Sequence, residues 1–266
     1  MISVMKLWLV LRKKVDMSRA IIDIDSFLYR ASLTCKELVE IQEGIFYEVY
    51  NLNTALSYLT KLGQELAQRV NCDEYVMVTG GVGKNFRYFI NPDYKGNRKK
   101  VAKPIMLDKV REQAFKKLPI VYTPSLEADD TCRILFEDDK NNVIVSIDKD
   151  LATFSSRLYN PDTDKVRFIS VEQAQSNFKR QLLTGDKCDG YNGLPGIGPA
   201  TADKLILGGI TIDDIAQLYV DKGLGIEEFE KVYNCAKIVG KENYSNGVIT
   251  LYGGKKLDTR EFANQQ

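Results

Sequence analysis

Short apolar runs alternate with longer amphipathic stretches through the first two thirds of the chain. Residues 20–24 (AIIDI) suit a buried parallel strand. A long mixed stretch follows, in which Leu52, Leu56, Leu59, Leu62 and Leu66 recur at helical spacing and predict helix. YVMVTGG is a second strand ending in glycines, PIVYT a third, and NVIVSI, with its continuous β-branched run, a fourth. Between them, IMLDKVREQAFKKL after Pro104 and LEADDTCRILFED carry helical patterns. RLYNPDTDKVRFI reads as a hairpin that turns at NPDTD. Strands and helices alternating in this way predict an α/β fold with a mostly parallel sheet and flanking helices.

Beyond residue 171 the pattern becomes helical, in VEQAQSNFKRQLL, PATADKLIL, TIDDIAQLYV and IEEFEKVYNCAKIV, and GVITLYG reads as a last short strand. The expected organisation is a peripheral extension over residues 1–16, an α/β body over 17–170, and a helical subdomain over 171–266 packed on the sheet without a flexible tether. The apolar run in the extension, MKLWLVL, is too short to span a membrane. Arg12, Lys13 and Lys14 follow it rather than precede it, against the order of a secretory leader.

Composition adds little until charge is followed along the chain. The 266 residues are 44% hydrophobic and 27% charged, ordinary for a well-cored globule, with a net charge of only +1. Yet Lys84, Arg87, Lys95, Arg98, Lys99, Lys100 and Lys103 crowd one stretch against a single acid, Asp93. Phe86, Tyr88, Phe89 and Tyr94 are interleaved with them. Cations neutralise phosphates and aromatics stack bases, so the mixture suits single-stranded nucleic acid better than a plain solvated loop. The chain has no histidine, which excludes Ser-His-Asp and Cys-His catalysis and His-ligated zinc. Five widely spaced cysteines, with no CxxC pair, fit reduced thiols in cytoplasm.

Nine acids fall into four tight clusters: Asp23 and Asp25; Glu127, Asp129 and Asp130; Asp148 and Asp150; Asp186 and Asp189. Asp23 and Asp25, two apart at a strand end, are expected to project to one face. Asp148 and Asp150 follow another strand, and ligands of open α/β sheets collect at such ends. Either pair alone also suits turn chemistry or helix capping, and the acids of LEADD also suit a helix N-terminus. The set is harder to explain that way. Two carboxylates about 4 Å apart repel by roughly 4 kcal/mol at an effective dielectric near 20. Gathering all four clusters therefore calls for cations or protons, and hard divalent ions such as Mg²⁺ or Mn²⁺ take oxygen ligands. Two-ion phosphodiester chemistry is the reading that follows.

GLPGIGPATADKL (193–205) has the form of a helix-hairpin-helix. Gly196, Ile197 and Gly198 form a small turn that lets backbone approach a phosphate, and Pro199 is placed to open the next helix. Amide groups exposed there make an anion site. Glycines serving turn geometry alone are the competing reading.

Five ordered motifs, IIDID, NPDYKGNRK, LEADD, SIDKD and GDKCDGYNGLPGIGPATA, resemble the 5′ nuclease or flap endonuclease family, above all its bacteriophage 5′→3′ exonucleases. The resemblance covers roughly residues 18–210. It implies a PIN-like sheet domain, two Mg²⁺ or Mn²⁺ ions, and cleavage of DNA carrying a 5′ single-stranded end or flap. Asp23, Glu127, Asp129 and Asp130 match the family's first metal site, Asp148 and Asp150 bridge toward the second, and Asp186 and Asp189 match the second. Asp25 stands where some members place another acid. Tyr94, Lys95 and Arg98 match the base of a helical arch, here residues 82–104, and Lys95 and Arg98 would neutralise the scissile phosphate while Asp148 serves catalysis. Lys84, Arg87, Lys99 and Lys100 join the expected DNA surface, and in some members the hairpin holds K⁺. The family usually has an aspartate after the second strand, where this chain reads Gly80 and Gly81. Implied besides are a monomer in the host cytoplasm, a role in phage DNA replication, and RNA–DNA hybrid as a further substrate. An RNA-directed PIN or RNase H-like nuclease and a catalytically weakened DNA-binding protein are the rivals.

Overall fold

The structure, a computed structural model, describes residues 18–81, 83–96 and 102–262. The extension over 1–16, together with Arg98, Lys99 and Lys100, lies outside the described residues. From the start the elements are β1 (Arg19–Asp23), α1 (Asp25–Thr34), β2 (Lys36–Gln42), β3 (Ile45–Tyr50), α2 (Leu52–Arg69) and β4 (Glu74–Val78). Then come α3 (Arg87–Ile90), α4 (Leu107–Lys117), β5 (Ile120–Val121), α5 (Ala128–Asp138), β6 (Val143–Val145), β7 (Ser156–Asn160) and β8 (Lys165–Ile169). The central sheet runs in the order β5-β4-β1-β6-β7-β8, and every pairing is parallel except the β7–β8 hairpin at its edge.

Alternation along β1 feeds two apolar layers. Ala20, Ile22 and then Ile24 pack with Phe27, Leu28, Leu59 and Val110 of α1, α2 and α4. Ile21 faces the other way, toward Cys132 and Phe136 of α5 and Ala174. β1 and β4 end level, with Asp23 opposite Val78, while β6 stops at Val145 opposite Ile22. Asp23, Thr79 and Ser146 therefore meet along the carboxyl edge of the sheet.

The expectation of helix throughout the stretch after β1 fails over residues 36–50, where β2 and β3 form an antiparallel hairpin. Gly44 turns it with φ of +77°, and IFYEVY is rich in strand formers. The leucines at helical spacing begin only with α2.

From Val171 the chain is helical, in α6 (Val171–Thr184), α7 (Pro199–Leu207), α8 (Ile212–Asp221) and α9 (Ile226–Ala236). Ser170 and Gln173 close a reciprocal cap on α6, as Thr211 and Asp214 do on α8. Phe178, Leu182, Tyr219, Phe229 and Val232 form their common core, which Tyr94 also enters. β9 (Gly185–Asp186) pairs with β10 (Tyr191–Asn192) between α6 and α7. The expected last strand is present as the centre of a small sheet, β11 (Tyr244–Ser245), β12 (Val248–Thr250) and β13 (Lys256–Asp258). No helix among the described residues is long and apolar enough to cross a membrane.

Candidate metal centre and nucleic-acid cleft

An open cleft of about 940 Å³ lies at the carboxyl edge of the sheet, lined by Asp23, Asp25, Glu127, Asp129 and Asp148 together with Lys95, Lys149 and Tyr88. These acids arrive on three pieces of chain: the β1–α1 junction, the start of α5 and the loop after β6. Asp23 ends β1 and accepts a hydrogen bond from the Ser146 hydroxyl at 2.9 Å. Ser146 Oγ in turn accepts from the Asp148 amide at 3.0 Å, and Asp148 Oδ1 accepts from the Asp150 amide at 2.8 Å. Asp129 sits in the first turn of α5, behind the Glu127 cap. Burial, then the charges of Asp23, Asp148 and Glu127, push its carboxyl well above the usual range. Burial and the neighbouring Asp25 likewise push Asp23 up to about 7. These carboxylates face one another.

Glu127 is balanced differently. Burial would raise it, but Arg87, Lys95 and hydrogen bonds from Lys95 and Tyr94 hold it below the usual range. Lys95 Nζ lies 2.5 Å from Glu127 Oε1 and 3.7 Å from Asp189 Oδ2. The Tyr94 hydroxyl contacts Glu127 at 2.9 Å and Asp189 at 3.0 Å. Both residues of the YK pair thus link α5 to the Asp186–Asp189 loop.

Asp150, Asp186 and Asp189 stand together as a second group. Burial, Asp148, Asp186 and Asp189 push Asp150 up to about 7, although Lys149 opposes them. Asp186 Oδ1 accepts the Cys188 amide at 2.7 Å, and its Oδ2 lies 3.3 Å from Lys149 Nζ. Gln181 of α6 donates its side-chain amide to Asp150 Oδ1 at 2.6 Å, while its own Oε1 is buried without a protein partner. An acceptor left open beside crowded carboxylates suits a hydrated cation. The all-oxygen donor set suits Mg²⁺ or Mn²⁺. Among the described residues no group of three His, Cys, Asp or Glu side chains is drawn close enough to hold an ion.

Several expected roles are corrected by burial. Asp130 is fully buried and turned from the cleft, its oxygens taken by Arg87, the Glu127 amide and the Val239 amide. Arg87 is only 2% exposed and spends its donors on Asp130 and on the carbonyls of Cys235 and Lys237. It is a strut between α5 and the end of α9, not a DNA contact. Tyr94 and Phe86 are core, and Phe89 stacks on Phe262 at 3.7 Å, so of the four aromatics only Tyr88 lines the cleft. Lys84 is exposed.

Asp25, the first residue of α1, lines the same cleft as Asp23 and donates its amide to Asp23 Oδ1 at 3.3 Å, but it does not share the Ser146 partner. Its carboxylate instead binds the Thr79 hydroxyl, the Gly80 amide at 3.2 Å and Arg111 at 3.2 Å. Reading the sequence missed Ser146, Thr79, Arg111 and Gln181, all of which hold acids in place. Only the strand-end positions of Ser146 and Thr79 offered a signal. In the hairpin of residues 193–205, Gly196 takes φ of +78°, Gly198 caps α7 with Pro199 at its start, and both glycines face open space. Ile197 tucks against the helical core.

Residues 18–183, more than half of the chain, match the family model described as the 5′-3′ exonuclease N-terminal resolvase-like domain. The chain belongs to the 5′-3′ exonuclease family. Among its relatives, the exonuclease of Escherichia phage T7 is 28% identical over 173 residues, covering 57% of this chain and 56% of that protein. A 5′-3′ exonuclease of Aquifex aeolicus is 27% identical over 262 residues, covering 91% and 84%. The chain spans a little over half the length of its phage T7 and T3 relatives. The bacteriophage T5 D15 protein, co-crystallised with metal ions, superposes with a TM-score of 0.60 at 17% identity, over 83% of this chain and 89% of that one. That likeness is one of fold.

Proposed function

We propose that the chain is a divalent-metal-dependent 5′→3′ DNA exonuclease with flap endonuclease capacity. The observation that carries this reading is the facing of Asp23, Asp129 and Asp148 across one cleft, with Lys95 beside them and the Asp150–Asp186–Asp189 group adjoining. Two Mg²⁺ or Mn²⁺ ions held there would activate water and stabilise the leaving oxygen of an in-line displacement. The protein's part is orientation. Ser146 aims Asp23, Gln181 aims Asp150, and Thr79 with Arg111 hold Asp25 at the rim. Lys95 stands where it can pass from Glu127 to a phosphate oxygen, with Arg98 as a second such cation.

Relatives named as exonucleases support a nucleic-acid substrate, and a T5 flap endonuclease of similar fold has been crystallised as a pseudo-enzyme-product complex with DNA and metal ions. DNA with a 5′ end or flap is the proposed substrate, with RNA–DNA hybrid second, as in primer removal during phage replication. Gly196, Ile197 and Gly198 are placed to approach duplex backbone, with K⁺ as the ion such a turn would hold. A monomer in the host cytoplasm completes the reading.

The test is digestion of a 5′-flap, a nicked duplex and an RNA–DNA hybrid in Mg²⁺ and in EDTA. Cleavage is expected only with metal, and Asp148→Asn is expected to abolish it while flap binding persists. Near wild-type cleavage by that variant in saturating Mg²⁺ would remove the acids from the chemistry. Binding without cleavage by the unaltered chain would favour the non-catalytic rival.

A further inference from the structure

The Lys149 side chain is 79% exposed, yet its ammonium lies 3.3 Å from Oδ2 of Asp186, a carboxylate only 8% exposed. The stem stands in solvent and the charge rests on a nearly covered acid. Asp186 Oδ1 is already engaged by the Cys188 amide, so Lys149 takes the oxygen that remains. Along the chain Lys149 lies between Asp148 and Asp150, and it also lines the cleft that holds Asp23 and Asp129. Its charge therefore rests with the second acidic group, while the residue also borders the cleft that holds the first. A lysine ammonium is a compact charge on a flexible stem, unlike the rigid fork of arginine, so this position is one it can leave readily.

We propose that Lys149 is an internal counter-ion that competes with divalent cations for Asp186 and swings off it when a cation is held there. This deepens the metal-dependent reading above and rests on it. When displaced, the ammonium remains at the cleft wall, within its stem's reach of a phosphate. Lys149 is thus a positioning residue for the second acidic group, acting on how much free metal the protein needs.

The experiment is Mn²⁺ titration of the full chain without DNA, followed by the electron-spin signal of free Mn²⁺, for the unaltered protein, Lys149→Met, Lys149→Arg and Lys222→Met. Lys149→Met is expected to bind Mn²⁺ about three- to fivefold more tightly, the upper scale of losing one ion pair with an exposed lysine. Lys222→Met controls for net charge and should match the unaltered protein. Lys149→Arg should stay within about twofold of it, because the competing charge is kept. Equal affinity for Lys149→Met and the unaltered protein overturns the counter-ion role while leaving metal dependence standing. Weaker binding by Lys149→Met also overturns it, since the lysine would then assist the ion. Absence of Mn²⁺ binding in every variant would sink the metal-dependent reading and this proposal with it.

Discussion

A Cβ added to Gly81 would lie 2.1 Å from the Thr123 carbonyl oxygen and 3.0 Å from Leu126 O and Ser125 N. All three are backbone atoms, and Gly81 itself donates to Leu126 O at 2.8 Å. An acid cannot enter there without moving the chain before α5. Gly81→Asp is therefore expected to lose at least ~1–3 kcal/mol of stability in urea unfolding, the cost of overpacking. Gly80→Ala should fold normally, because its Cβ meets only Asp25 Oδ2 at an ordinary 3.4 Å. Equal midpoints for the two would show that the 123–126 backbone yields. The sequence reading identified Asp130 and Arg87 as useful residue types and misplaced both, because type does not reveal burial. Their bidentate pair at 2.8 Å predicts that Asp130→Ala costs about 3–5 kcal/mol by leaving a buried guanidinium unpaired. Lys84→Ala, at an exposed position, should stay within about 0.5 kcal/mol in the same assay.

At the scale of elements, strands with continuous β-branched runs and helices with periodic leucines were legible, because each pattern answers to one buried face. The β2–β3 hairpin was not. Leu38, Ile41, Phe46 and Tyr47 are 57–64% exposed, so no core face imposes alternation on it. Gly44 and the run IFYEVY were the available signals, outweighed by the leucine period that starts just beyond. Side chains that pack on little contribute little. Phe46→Ser is expected to change unfolding free energy by less than about 0.5 kcal/mol, whereas Leu59→Ala, fully buried in the first core layer, should cost about 2–5 kcal/mol. A large loss from Phe46→Ser in urea titration would mean that the hairpin is buried in solution.

Across the whole molecule, the acids of the cleft and of the group beside it come from the β1–α1 junction, α5, the loop after β6 and the β9–β10 turn. Folding is what brings their charges together. Each cluster was visible in the sequence, but their convergence was not, since it depends on the strand order that sets β1 between β4 and β6. The consequence is a pH dependence of known sign. Asp23 and Asp150 are each pushed up to about 7, by burial first and then by Asp25 and Asp148 respectively, from an unfolded value near 4. Between those values the folded state holds protons that the unfolded chain has released. Their contribution to stability is thus complete below about pH 4 and lost as pH rises through 7. In EDTA the melting temperature should fall between pH 5 and pH 8. Asp150→Asn, which cannot ionise, should flatten that fall. Saturating Mn²⁺ should reverse it, because the ion binds the deprotonated carboxylates and its affinity rises over the same interval. Melting curves of both proteins at pH 5, 6, 7 and 8, with EDTA and with Mn²⁺, decide the matter. Equal slopes in EDTA would mean that Asp150 ionises as an ordinary surface acid, and that the second group is held together by Lys149 and Gln181 rather than strained by its own charge.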